Sequence, residues 1–364
     1  MYNLREVFNR ALQEKASDIH LKAGKSPVFR LNGTLKTVDT FPRLLPEDTE
    51  EILKHIIPEH LKKIFDEKYE ADFSVGFKKL GRFRVNAYKQ RGTIALSLRS
   101  IPFEVPDIDS LNLPSIIKKL ALENRGLILI TGTTGSGKST TLASMINYIN
   151  ERKSVNIITI EDPIEYLLSD KKSIISQREL GTDTTSFSLS LRQSLRQDPD
   201  IILVGEMRDV ETVETALMAA ETGHLVLSTL HTLDAPETIN RIVSLFPPYH
   251  QNNIRYQLSS VLKAIVSQRL MPKAGGGGRI PAVEIMVNTE AVKECIVDNT
   301  KIKRIKDYIE DGKNIYGSQT FDQSIFEHYK KGLVTFEEAI KWVTSPDNFQ
   351  LKVSGIVSYN NKDG

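Results

Sequence analysis

Cysteine is almost missing from this chain: Cys295 is the one such residue among 364. That excludes an internal disulfide framework and any zinc site built from cysteines alone, and it suits a reducing compartment. Excess charge is nearly missing too, with 48 Lys and Arg against 46 Asp and Glu for a net of +2. Composition therefore offers no electrostatic case for nucleic acid or an anionic membrane as the principal partner, although a local basic patch remains compatible with it. No apolar run approaches the roughly eighteen residues that a membrane-spanning helix needs. The first residues, MYNLREVFNRALQEK, carry charges throughout and lack the apolar core of a signal peptide. These absences together lead us to expect a cytoplasmic protein that is not inserted in a membrane and does not bind nucleic acid. What is there, 40% apolar and 26% charged residues over 364 positions, fits a soluble globular protein of two domains.

The first third reads as a small α+β unit. Leu4, Val7, Phe8, Ala11 and Leu12 recur at helical spacing, and SDIHLKAGKSPVFRLNGTLKTVD then alternates as short strands broken by Gly and Pro. A helical stripe from Ile52 to Phe65 comes next, divided at Pro58, and after it stand two strands, RFRVNAYK and TIALSLRS, joined by QRG. The proline-rich IPFEVPDIDSLNLP marks a boundary, giving expected ranges of 1–102 for the first domain, 103–113 for the linker, 114–355 for the second domain and 356–364 for a tail. In the second domain LILIT, VNIITI, DIILVG and HLVLST alternate with helices, the pattern of a parallel sheet covered by helices. The stretch IRYQLSSVLKAIVSQRL and the residues C-terminal to it read as mostly helical, with one further strand at PAVEIMV.

Between LILIT and TTLASMINYI stands GTTGSGKS, which satisfies G-x-x-x-x-G-K-[ST] in the required setting of strand before and helix after. Gly132, Gly135 and Gly137 let the amides of Thr133, Thr134, Ser136 and their neighbours approach phosphate oxygens. The new helix offers its positive end through Lys138, Ser139 and Thr140, with Lys138 reaching the outer phosphates and Ser139 able to hold Mg²⁺. The domain is expected to bind a nucleoside triphosphate, and the lack of an N-K-x-D guanine motif favours ATP.

Hydrolysis also needs a carboxylate near the outer phosphate, best supplied from the end of a neighbouring strand. DPDIILVGE gives Glu206, as a candidate to orient water or the Mg²⁺ shell through water, while the more usual aspartate position is occupied by Gly205. Glu161, Asp162 and Glu165 form a second acidic cluster in IEDPIE. Several acids beside an anionic substrate repel it unless metal and cations intervene, so their convergence suggests polarised water. In GHLVLSTLH, His224 and His231 sit at opposite ends of a strand and are no metal pair. His231, at the carboxyl end, is a candidate sensor of the outer phosphate or a capping histidine, and His224 is open to the same two readings.

If QRG closes a hairpin near Arg91 and Gly92, Arg84 falls opposite Arg99, and alternation puts Arg82, Arg84 and Arg99 on one face. Like charges directly opposed are destabilising unless an anion lies between them. We expect these arginines either to serve nucleotide phosphates or to form a solvated basic face.

Taken together, SDIHLKAGKSPVFRLNG, GRFRVNAY, GTTGSGKSTT, IEDPIEY, SQRELGTDTTSF, LRQDPDIILVGEMRDVETVETALMAAETGHLVLSTLHT and INRIVSLFP resemble the type IV pilus retraction ATPases, the PilT family of secretion-superfamily motors. The resemblance runs from about residue 1 to about residue 350. It implies an α/β fold, with a PAS-like α+β N-terminal domain followed by a RecA-like P-loop ATPase domain with a helical C-terminal part. It also implies a homohexamer with ATP and Mg²⁺ between domains, docked on an inner-membrane pilus platform protein at the cytoplasmic face. Glu161 then belongs to the family's Asp box, Glu206 is its catalytic glutamate, His231 belongs to its His box, and first-domain arginines reach the phosphates. The family's AIRNLIRE-like segment reads AVKECIVD here, Ala291 to Asp298, with the apolar spacing kept and the charge pattern changed. Extension and type II secretion ATPases of the same superfamily, nucleic-acid translocases and nucleotide-gated adaptors are the alternatives.

Overall fold

The computed structural model describes residues 3–31, 33–78, 80–102 and 104–355, so the expected tail at 356–364 lies outside the described residues. Two compact units are present: residues 1–104 with 163–167 and 181–183, and the remainder from Val105 onward.

The first unit runs α1 (Leu4–Gln13), β1 (Asp18–Lys22), β2 (Val28–Leu31), β3 (Thr34–Thr37), α2 (Pro46–Ile56), α3 (Glu59–Lys68), β4 (Glu70–Phe77), β5 (Gly81–Gln90) and β6 (Thr93–Ile101). Pro58 separates the two middle helices as the N-cap of α3. The sheet order is β3-β2-β1-β6-β5-β4, with every neighbour antiparallel. β4 was not among the expected strands, although its Ala71, Phe73, Val75 and Phe77 alternate with polar residues and face the core. Arg91 and Gly92 both take positive φ, 49° and 77°, as a two-residue hairpin turn whose twist matches its strands. The register therefore sets Arg84 against Arg99, Val85 against Leu98 and Ala87 against Leu96. The inward residues Phe83, Val85, Ala87, Leu96 and Leu98 join Phe8 in one apolar core, where the Phe8 and Phe83 rings stack at 4.7 Å.

The second unit begins α4 (Ile116–Ala121), β7 (Gly126–Thr131), α5 (Lys138–Asn150), β8 (Asn156–Glu161), β9 (Ile174–Glu179), α6 (Phe187–Ser194), β10 (Ile201–Val204), α7 (Val210–Glu221) and β11 (Leu225–Leu230). It continues α8 (Ala235–Ser244), α9 (Pro248–Val261), β12 (Leu262–Pro272), β13 (Arg279–Val287), α10 (Glu290–Val297), α11 (Ile305–Asp311) and α12 (Lys313–Tyr316). α13 (Phe321–Lys330), α14 (Phe336–Trp342) and α15 (Pro346–Val353) end the described chain. Ile108 and Leu113, within the stretch read as a linker, pack into this unit's core.

Its sheet has the order β13-β12-β7-β11-β10-β8-β9. From β12 to β9 the neighbours are parallel, and β13 is antiparallel at the edge. Alternate residues of β7 enter two cores, Leu127 and Leu129 on one face and Ile128 and Ile130 on the other. That is why these strands read as unbroken apolar runs.

One expectation is corrected. The stretch from Ile254 to Leu270 is not one helical segment: α9 stops at Val261, Leu262 turns extended with ψ 133°, and β12 lies between β7 and β13. Burial between two strands overrides the helical spacing of its leucines, and Ile265 and Val266 favour the extended form. Among the described residues no helix is long and apolar enough to cross a membrane.

Candidate nucleotide site

The P-loop joins β7 to α5. Gly132 has φ 138°, and a β-carbon there would lie 2.4 Å from the Gln268 carbonyl oxygen, so this turn admits only glycine. Gly135 and Gly137 also have positive φ, 78° and 95°, and Gly137 is the N-cap of α5 with no side chain over the helix end. The positive end of the helix thus faces the loop with no capping side chain from Gly137. Thr133, Thr134 and Gly135 are exposed, and Ser139 and Thr140 are half-buried in the first turn. Lys138 is buried, its Nζ donating to the carbonyls of Gly132 at 2.8 Å and Thr133 at 3.1 Å. Ser136 Oγ is buried with no hydrogen-bond partner, an orphan polar atom within a loop of the right sequence for phosphate. A cavity of about 350 Å³ adjoins the loop, lined by Ser136, Gly137, Thr140, Thr141, Gln268 and Leu270 among others.

Four neighbouring strands end on the same side. The order β7-β11-β10-β8 puts the P-loop, His231, Glu206 and Glu161 in a row at their carboxyl ends, where open α/β sheets gather ligands. Asp209 and Asp234 cap α7 and α8 with side-chain bonds to Thr212 N and Glu237 N, both at 2.9 Å, so the chain after Glu206 and after His231 turns into helix at once. At Gly205 an added β-carbon would meet the Ile160 carbonyl oxygen at 3.0 Å and Glu161 Cα at 3.3 Å. The neighbouring strand leaves no ready space for an aspartate there, and the carboxylate comes one residue later.

Glu206 accepts from Arg208 at 2.6 Å, and His231 Nε2 lies 3.4 Å from the same oxygen. Burial pushes the Glu206 carboxyl up, but the Arg208 hydrogen bond and the positive side of His231 outweigh it, holding the group below its ordinary value. Glu206 is therefore ionised. Glu161 Oε1 accepts from Thr159 at 2.6 Å and from Gln177 at 3.0 Å. Sequence reasoning missed Arg208, Thr159 and Gln177; an arginine two residues past the glutamate was the available signal for the first, and β9, which carries Gln177, was not expected. The contacts of His224 are those of a cap, with its Nδ1 2.9 Å from the Ala219 carbonyl at the end of α7.

In the first unit Arg82, Arg84 and Arg99 share the face away from the core, as the register dictates. An anion on β1 sits between Arg99 and Arg30, on the side of Arg99 away from Arg84. Asp18 bonds Arg99 at 2.9 Å and lies 3.6 Å from Arg30. Burial raises the Asp18 carboxyl, while Ser17 and Arg99 pull it net below its usual range. Asp18, Asp72, Arg84, Asn86, Ser97 and Arg99 line a cavity of about 290 Å³.

The family model described as "Type II/IV secretion system protein" matches residues 2–341. The chain is 42% identical to the type IV pilus retraction ATPase PilT of Pseudomonas aeruginosa, over 95% of this chain and the whole of the relative. A twitching motility protein of Neisseria gonorrhoeae is 44% identical over 86% of this chain and 83% of its own. A crystal structure of the pilus retraction motor PilT with bound ADP superposes with a TM-score of 0.88 at 48% identity, covering 96% of this chain and 99% of that one. The α/β architecture, an N-terminal domain and a secretion-ATPase domain, is common to both structures. With the glycine-lined loop, the ionised Glu206 and the row of strand ends, these similarities identify the chain as a member of the Type II/IV secretion system protein family, and within it of the PilT-type pilus retraction ATPases.

Proposed function

We propose that the chain is an ATP-hydrolysing motor that retracts type IV pili, working as a homohexamer on an inner-membrane pilus platform protein at the cytoplasmic face. The observation that carries this reading is the row formed by the P-loop, His231, Glu206 and Glu161 at adjacent strand ends of one sheet. Gly132, Gly135 and Gly137 open the loop, the first amides of α5 donate to phosphate oxygens, and Lys138 turns from the loop carbonyls to the outer phosphates. The unpartnered Ser136 hydroxyl supports a loop built for an oxygen-rich ligand. The Ser139 hydroxyl would hold Mg²⁺, with Glu206 acting on its shell through water. When bound, Mg²⁺ supplies charge neutralisation at the phosphates.

Glu206 orients the attacking water and takes its proton, held ionised by Arg208. Glu161, fixed by Thr159 and Gln177, shares that water. His231, against Glu206, reports the outer phosphate to the first domain, whose Arg82, Arg84 and Arg99 add charge that the P-loop lacks. ATP binding and release then move one domain against the other, and repeated closures around a ring become motion of the pilus base.

The test is ATP turnover and nucleotide affinity of two variants. Lys138→Ala should lose binding or turnover. Glu206→Gln should bind ATP normally yet hydrolyse it at least about a hundredfold more slowly. Normal turnover in Glu206→Gln would move the catalytic role elsewhere.

A further inference from the structure

A charged side chain stands in the middle of a buried strand. Glu284, on β13, is 5% exposed within PAVEIMV, and its carboxylate accepts the Ala235 N–H at 3.0 Å. Ala235 is fully buried and is the first residue of α8. The loop just before it carries His231, and its other anchors are Thr232 to Thr238 at 2.7 Å, Leu233 N to Glu237 at 2.9 Å, the Asp234 cap, the pair of Asp234 with Lys306 of α11 and the approach of His231 to Glu206. Glu284 alone among these ties the loop to a strand at the far edge of the sheet. Its cross-strand partner Ser267, on β12, accepts from Thr131, the residue before Gly132, at 3.0 Å. The two strands β12 and β13 thus hold both the start of the P-loop and the end of the His231 loop.

We propose that Glu284 is a positioning residue for ATP hydrolysis, seating the His231 loop through the N-terminus of α8 so that His231 meets Glu206. This rests on the proposed roles of His231 and Glu206. Two further observations support it. A carboxylate at the first N–H of a helix uses the positive end of that helix, and Glu284 does so at Ala235 beside the Asp234 cap. Burial raises the Glu284 carboxyl to about 7, against the opposing Ala235 bond, with Asp234 adding to the rise and Lys306 on α11 and Arg269 on β12 opposing it. Lys306 is itself paired with Asp234 at 3.0 Å. From α13, packed on the same strand, His328 has a ring nitrogen 2.9 Å from the Pro281 carbonyl, with the charges of Lys331 and Glu327 acting on it. As pH rises through neutrality the carboxylate forms and its bond to the helix end strengthens.

The experiment measures kcat, ATP affinity and thermal midpoint across the neutral range for wild type, Glu284→Gln and Glu284→Ala, with Glu206→Gln as the control. Glu284→Ala should cut kcat roughly tenfold while ATP affinity stays within about twofold, since only the relation of His231 to Glu206 is lost. Glu284→Gln keeps an acceptor for Ala235 and should restore most of kcat, but without the inflection near neutrality that wild type shows. Wild-type kcat in Glu284→Ala would overturn the proposal. So would equal losses of kcat and thermal midpoint in both variants with an unchanged pH profile, which mark a purely structural carboxyl. Should Glu284→Ala not fold, the pH profile of Glu284→Gln decides alone. Normal turnover in Glu206→Gln would instead remove the catalytic reading on which the proposal stands, whatever Glu284 does.

Discussion

Gly132 and Gly135 lie three residues apart and answer to different constraints. Both have positive φ, but a methyl at Gly132 collides with the Gln268 carbonyl, whereas at Gly135 nothing lies within 4 Å. Gly135→Ala should therefore cost only the backbone strain, about 1–2 kcal/mol, and keep nucleotide binding. Gly132→Ala should cost more and abolish it, because β7, β12 and the loop cannot all keep their places. Denaturant midpoints and nucleotide titrations compare the two, and equal effects would mean that the tight approach to β12 is unimportant. The P-loop, Glu206, Glu161 and His231 were legible because motif and strand end coincide in sequence. Arg208, Gln177 and Glu284 were not, since each acts on a residue whose place only the fold determines. A lone acid within the apolar run PAVEIMV was a visible oddity, yet its partner Ala235 lies 49 positions away.

Among the elements, the hairpin β5–β6 was readable down to its register because QRG fixes a two-residue turn and one face is apolar. β9 lacks a clean alternation and so gives no strand signal, whereas β4 alternates apolar Ala71, Phe73, Val75 and Phe77 with polar residues and yet was not among the expected strands, and β12 reads as helix in the sequence because its leucines keep helical spacing. The hairpin also carries a prediction. Arg99 is tied to a buried Asp18, so Arg99→Ala should lower the thermal midpoint as well as turnover, leaving that carboxylate with the Ser17 hydroxyl and with Arg30 at 3.6 Å as its one cation. Arg84, which faces Arg99 across the hairpin, has an exposed side chain. Arg84→Ala should leave the midpoint unchanged and still lower ATP turnover or affinity by roughly tenfold. If both variants turn over ATP as wild type does, the arginine face is merely solvated.

At the scale of the whole molecule, the proposed function is work by docking and domain movement, and among the described residues no helix is long and apolar enough to cross a membrane. The segment Ala291–Asp298 bears on the direction of that work. Val292, Cys295 and Ile296 of α10 are buried, and Arg255 of α9 donates to the Ile296 carbonyl at 3.1 Å, so the kept apolar spacing serves packing. The changed charges fall elsewhere, at Glu294, which is exposed, and at Val297, which is half-buried. The divergence is thus on the outer side of a helix whose seat is retained. The central claim, that ATP energy pulls subunits out of the fibre, is tested most directly by counting surface pili in cells lacking this gene, complemented with wild type or with Lys138→Ala. The account predicts excess pili that do not shorten in the deletion and in Lys138→Ala, with normal numbers restored by wild type; bald cells would contradict it.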